Sequence, residues 1–266
     1  MNTSANVLLT GASGFVGSAV LRALLRDGFH VRALIRRNSQ YRDLSVRGVE
    51  FVEVDLRENS SLRPACAGCR YLFHVAADYR LSLWNSAEIL ATNVTGDIRP
   101  TPTGKMVLAA AAGRIPACVD TGLNVVHVDD VASGHLAALE RGRIGERYIL
   151  GGENVPFSRL LAEIAASVGR RSPSVRIPWY VAVPAALAGE LGAYLTGNEP
   201  LATWAGVRLA RHKMFFTSEK AERELGYRAR SHVVAVSDAI SWFGSHGYLR
   251  SSAVGPKLGS LRSPLG

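Results

Sequence analysis

Val7-Leu8-Leu9-Thr10-Gly11-Ala12-Ser13-Gly14-Phe15-Val16-Gly17 decides how the chain begins to fold. Val7 to Leu9 is a short apolar run, and it stops at Thr10-Gly11, where the spacing of apolar residues changes from strand-like to helix-like. Val16, Val20, Ala23 and Leu24 then share one helical face, with Ser18, Arg22 and Arg26 on the other. Gly28 stands where the end of such a helix favours a left-handed residue. Further strands are expected at His30–Ile35, Val49–Val54 and Tyr71–Val75, with helix-compatible stretches between them. Strands that alternate with helices imply parallel pairing, because each crossover must return over a face of the sheet. The predicted class is α/β, a Rossmann-like doubly wound parallel sheet.

The turn between strand one and helix one carries chemistry. Gly11 permits the tight turn, Gly14 lets backbone N–H groups approach a pyrophosphate, and Gly17 lets the helix pack closely. The helix N-terminus adds roughly half a positive charge facing the diphosphate. Gly11, Ser13, Gly14, Phe15, Val16 and Gly17 are therefore candidate cofactor contacts, with the spacing G-x-x-G-x-x-G. At the end of strand two an acidic residue would accept hydrogen bonds from the adenosine ribose, but the sequence reads Ile35-Arg36-Arg37. A guanidinium forks well onto a 2′-phosphate, so Arg36 favours NADP, with NAD also possible; the alternative is that both arginines are solvated surface charges. Asp55-Leu56 is placed to meet the adenine edge, or else is a strand-ending turn.

Composition bounds the remaining possibilities. The 266 residues are 47% hydrophobic and 20% charged, which excludes a wholly disordered or collagen-like chain. Three cysteines cannot build a disulfide scaffold and suit a reducing compartment. The charge is +9, yet the arginines are interspersed with acids and form no run, so a phosphate-tracking stripe for nucleic acid is not visible and an anionic small molecule is the better partner. Met1 to Asn6 shows no secretory pattern, and the apolar candidate Pro178–Leu195 is broken by Pro184 and Glu190. A soluble, cytoplasmic protein without stable membrane insertion is expected.

Later segments read as helices at Val131–Glu140, Phe157–Val168, Val181–Leu195, Ser218–Leu225 and Val233–His246, with a strand at Arg147–Leu150. The expected organisation is a dinucleotide-binding domain over 1–135, interrupted near 96/97, a smaller, mostly helical substrate region over 136–248, and a flexible tail over 249–266.

Together these residues resemble the extended short-chain dehydrogenase/reductase family, in its NAD(P)-dependent epimerase/dehydratase and dihydroflavonol-reductase-like group. The motifs are Thr10 to Gly17, Asp55-Leu56, His74-Val75-Ala76-Ala77, Asn93-Val94-Thr95-Gly96 and Val126-His127-Val128-Asp129-Asp130-Val131-Ala132. Within that group the chain looks most like the hopanoid-associated sugar epimerases, on Ala76 to Leu81, Pro100 to Lys105, Val119 to Asn124, Tyr148 to Asn154 and Lys213 to Phe216. The resemblance implies hydride transfer at a sugar or alcohol carbon. It implies that Ala76 and Ala77 line the nicotinamide ribose, that Asp129 and Asp130 anchor the join of cofactor and substrate regions, and that a C-terminal pocket takes a nucleotide sugar or similar ligand. For the two aspartates, capping of the helix ahead of Val131 is the structural alternative. Tyr79 and Arg80, just past strand four, are substrate-contact candidates because open α/β sheets bind ligands at that edge.

Family chemistry needs a tyrosine that moves a proton and a lysine four residues later, with a serine or threonine polarising the same oxygen. The four lysines, Lys105, Lys213, Lys220 and Lys257, have Thr101, Leu209, Phe216 and Ala253 four positions earlier, so no catalytic residue is assigned. Against the family pattern, Gly96 runs straight into Asp97-Ile98-Arg99-Pro100, and two strand–helix units, roughly 60 residues at about 30 per unit, have no counterpart. The helix that relatives use for dimerisation goes with them. Strand four then becomes a sheet edge unless Met106–Ala112 and Val125-Val126 close over it.

Cys66-Ala67-Gly68-Cys69 has metal or redox spacing but no second pair, so buried or inert thiols are expected and no metal site. His74 and His127 read as core histidines.

Overall fold

In a computed structural model of the protein, residues 6–35, 47–56, 58–76, 102–196 and 203–249 are described. They divide into two compact units, each contributed by several stretches of chain: 1–99, 127–150 and 217–229 in the first, 100–126, 151–216 and 230–266 in the second.

The first unit is built on β1 (Asn6–Thr10), β2 (His30–Ile35), β3 (Val49–Glu53) and β4 (Tyr71–His74), joined in one parallel sheet of order β3-β2-β1-β4. The strand and helix that follow the opening motif are those its periodicity predicts. Helix α1 (Phe15–Arg26) buries Gly17, Ala19, Val20, Ala23 and Leu24. It ends where Phe29 N–H returns to the Leu24 carbonyl and Gly28 N–H to Leu25, both at 3.0 Å, with Gly28 at φ 82°. That pair of bonds satisfies carbonyls the helix end would otherwise orphan, and the left-handed residue it requires is cheapest as glycine.

Both faces of β1 are covered. Val7 and Leu9 pack with α1 and with helix α4 (Val128–Arg141), while Leu8 turns to the opposite face with Leu34, Val54 and Ala65 of α2 (Asn59–Cys66). Burial on both faces explains why the strand reads as a continuous apolar run. Among the described residues β4 is one margin of this sheet, with β3 the other, and Leu72 is 61% exposed on β4.

The second unit contains α3 (Pro102–Ala111), β5 (Ala117–Val119), β6 (Gly122–Val125), β7 (Glu153–Pro156), α5 (Phe157–Ser167), β8 (Val175–Ile177), a 3₁₀ turn (Trp179–Ala182), α6 (Val183–Thr196), α7 (Trp204–Leu209) and α9 (His232–Ser245). Strands β5 and β8 pair in parallel and β6 and β7 antiparallel. The core gathers Val107, Leu108 and Ala111 of α3, Leu160, Leu161 and Ile164 of α5, and Val236, Ile240 and Phe243 of α9. Met106–Ala111 thus serves this core.

The strand expected at Arg147–Leu150 is not formed; the strand lies at β7, Glu153–Pro156. The alternation of Tyr148 and Leu150 comes from packing on α8 (Glu219–Leu225), where both join Ala137, Ala221 and Leu225. Tyr148 Oη also donates to Glu224 at 3.0 Å. The helix expected from Val131 starts at Val128, so Asp129 and Asp130 occupy its first turn and do not cap it. The cap is His127, whose Nδ1 accepts the Asp129 N–H at 3.1 Å.

Candidate dinucleotide site

The loop after β1 is held closed by its own backbone. Gly14 N–H donates to the Gly11 carbonyl at 2.9 Å, and Ser18 N–H to Gly14 at 2.8 Å, which starts α1. Gly11 has φ 74°. A β-carbon built there would lie 2.7 Å from the Ala76 nitrogen, so the loop touches the backbone that follows β4. At Gly17 it would lie 1.8 Å from the Gly11 oxygen. At Gly14 it would meet that same oxygen at 3.3 Å and nothing else within 4 Å among the described residues, which leave the space beside the loop open. Two glycines are therefore demanded by the fold, whereas the Gly14 N–H is taken up by the loop's own bond to Gly11.

Helix α1 begins with Gly14 as its N-cap, with no side-chain cap bond and no acid in its first turn. A helix that starts without a side-chain acceptor offers its first amides to an external anion. Phe15 is 53% exposed at that start, while Ser13 and Val16 are half-buried. These are the residues a diphosphate needs, and the cradle fits one.

Thr10 fixes the neighbouring strand end. It is buried, its Oγ1 lies 2.7 Å from His74 Nδ1 and accepts the Ala76 N–H at 3.3 Å. His74 is exposed on β4, so its role is this bond at the margin and not that of a core histidine, whereas His127 is buried. Sequence reasoning did not single out Thr10; its signal is a polar residue closing an apolar strand beside the glycine loop.

Asp55 and Leu56 follow β3 at the same end of the sheet. The Asp55 carbonyl accepts Glu58 N–H at 2.9 Å and Ser61 Oγ at 3.2 Å, forming the turn that leads into α2. Leu56 packs on Leu8, Leu34 and Val54. Gly11, Ser13, Gly14, Phe15, Val16, Gly17, Asp55, Leu56 and Ala76 thus all lie beyond the carboxyl ends of the parallel strands, where open α/β sheets bind ligands. Arg36, Ala77, Tyr79 and Arg80 lie outside the described residues.

The cysteine pair offers no competing centre. Cys66 is exposed, and burial pushes the Cys69 thiol up from its ordinary value although Arg32 opposes this. A protonated thiol is a poor nucleophile and a poor ligand. Among the described residues no cluster of His, Cys, Asp and Glu is arranged to hold a metal ion, and no helix is long and apolar enough to cross a membrane.

The model of the NAD dependent epimerase/dehydratase family matches residues 7–99. A putative dihydroflavonol 4-reductase of Synechocystis is 29% identical over 331 residues, covering 91% of this chain and 96% of that protein. The crystal structure of gox2253 superposes with a TM-score of 0.75 at 33% identity, covering 94% of this chain and all of that one. A nucleoside-diphosphate-sugar epimerase from Pseudomonas aeruginosa shares the fold, with a TM-score of 0.69 at 22% identity over 94% of this chain and 100% of that one. The reductase alignment, 331 positions long, exceeds the 266 residues of this chain, so that relative carries residues with no counterpart here.

Proposed function

Because the chain belongs to the NAD-dependent epimerase/dehydratase family of extended short-chain dehydrogenases/reductases, we propose that its first unit binds a nicotinamide dinucleotide, NADP in preference to NAD, on a scaffold of the kind used for hydride transfer at a sugar or alcohol carbon. When bound, the nicotinamide supplies hydride chemistry. The chain's own residues do the holding. Amides near Gly14 and the start of α1 take the diphosphate; Asp55 and Leu56 meet the adenine; Ala76, positioned through Thr10, and Ala77 flank the nicotinamide ribose; Arg36 takes a 2′-phosphate. Tyr79 and Arg80 contact a small substrate, a nucleotide sugar or related alcohol.

The observation that carries the reading is the glycine loop: no β-carbon fits at Gly11 or Gly17, the space beside Gly14 is open, and α1 has no side-chain cap. A turn that served only to connect β1 to α1 would not need all three properties.

A second reading has its own support, that of a nucleotide-binding chain without turnover. No lysine here has a tyrosine four residues before it, and that pair sets the tyrosine pKa and moves the proton in family chemistry. Calorimetry and fluorescence with NADPH and NADH test both. Binding that favours NADPH, weakened on Arg36→Glu, supports the cofactor assignment, and absence of binding by folded protein refutes it. Binding without oxidation in the presence of carbonyl compounds or nucleotide sugars supports the silent form, and turnover selects the active one.

A further inference from the structure

The second unit carries an apolar surface that its own core does not use. In α6 only Ala186 is fully buried among the residues whose side chains are described, while Leu187 and Leu191, four apart and so on one helix face, are 51% and 63% exposed. The adjoining 3₁₀ turn buries none of its side chains, and Tyr180 and Val181 are 61% and 50% exposed. Leu209 on α7, which packs against both elements, is 41% exposed. Contiguous exposure of large apolar side chains marks an interaction surface.

Charge identifies what that surface meets. Among the described residues of 179–211, which span the 3₁₀ turn, α6 and α7, the basic side chains are Arg208 and Arg211, both exposed, and the single acid is Glu190. Glu190 is committed to the fold, its Oε1 accepting the Trp204 N–H at 2.9 Å. The Arg211 guanidinium stands 5.8 Å from the centre of the Trp179 ring, and Trp179 meets Tyr180 edge-on at 6.1 Å. Apolar helix residues, a Trp–Tyr pair and two adjoining arginines are the parts of an interfacial element, which inserts its hydrocarbon shallowly and sets its charges on anionic headgroups. A second copy of the chain fits less well, because pairing this face with itself would bring Arg208 and Arg211 of one copy against those of the other. No described helix spans a bilayer, so the mode is adsorption to its surface.

We propose that the Trp179–Leu191 face of the second unit docks reversibly on a membrane surface containing anionic lipid. The proposal is independent of the dinucleotide site, whose described residues lie in the first unit.

Flotation with phosphatidylcholine vesicles containing phosphatidylglycerol, against vesicles of phosphatidylcholine alone, tests it on the full chain. The protein is expected to float with the anionic vesicles and to shift Trp179 emission to shorter wavelength, a shift lost in Trp179→Phe. Arg208→Gln with Arg211→Gln should weaken binding about thirtyfold, at about one headgroup interaction per arginine. Leu187→Glu with Leu191→Glu should abolish it, and because both leucines are exposed the variant should keep its circular dichroism. Failure of the folded wild type to float overturns the proposal, as does flotation unchanged in both double variants. It is equally overturned if the leucine variant only converts a dimer to a monomer by light scattering while vesicle binding persists.

Discussion

Gly17 and Gly11 stand in backbone contact, so that a β-carbon added at Gly17 would lie 1.8 Å from the Gly11 carbonyl oxygen. The same oxygen accepts the Gly14 N–H, so displacing it opens the loop whose amides face the proposed diphosphate. Gly17→Ala should cost about 1–3 kcal/mol as overpacking. It should weaken dinucleotide binding at least tenfold, since the cradle must reshape to admit the methyl group. Thermal unfolding and calorimetry check the two effects, and unchanged values for both would show that the loop is not the binding element.

Acid should weaken the second unit through Glu153. Buried His232, at the start of α9, meets Glu153 of β7 at Nδ1 and Glu163 of α5 at Nε2, the latter at 2.7 Å, while Arg159 holds Glu163 at 2.8 Å. The His232 hydrogen bond keeps the Glu153 carboxyl below its ordinary range, with Ser231 adding to the effect. The unfolded chain therefore takes up this proton at higher pH than the folded chain. The associated stability is present above the unfolded value of about 4.3 and is lost as pH falls through the depressed one. Urea unfolding measured downward from pH 6 should show that loss, and His232→Gln should flatten it.

Tyr227 has a buried hydroxyl without a hydrogen-bond partner among the described residues, packed with Ala137, Ala221 and Leu225. Burial first, then the charges of Asp130 and Glu222, push its pKa up to about 12. An unpaired buried hydroxyl is a net cost, so Tyr227→Phe should leave stability unchanged or raise it by about 1 kcal/mol. In the wild type one tyrosine should resist ionisation in an alkaline absorbance titration, and this resistant fraction should vanish in the variant.

The β4 margin of the parallel sheet should govern solubility. β4 carries exposed Leu72 and, among the described residues, pairs only with β1. An apolar edge strand invites pairing between molecules, and an edge lysine discourages it. Leu72→Lys should lower light scattering on heating or concentration with little change in unfolding midpoint, whereas equal scattering would show that β4 is not the associating edge.

What the sequence disclosed depended on where the chain needs long apolar runs. β1 is covered on both faces and α1 has a full apolar stripe, so their reading and the His30–Ile35 strand were legible from spacing alone. The strands β5, β6, β7 and β8 have only three or four residues each and escape any periodicity. The misassigned Arg147–Leu150 kept a period of two because Tyr148 and Leu150 pack on a helix, and no ladder partner announced itself in the letters. At the site, the glycines were legible because backbone closeness admits one residue type. Thr10 was not, since its value lies in bonds to His74 and Ala76, more than sixty positions away.

Gly11 also leans directly on Ala76, at the tip of β4. Among the described residues the glycine loop is consequently anchored to an edge strand of the sheet, and its stiffness is borrowed from there. Anything that zips along that flank would tauten the loop, and anything that frays it would slacken the loop and with it the proposed grip on nucleotide, with no change at the glycines themselves.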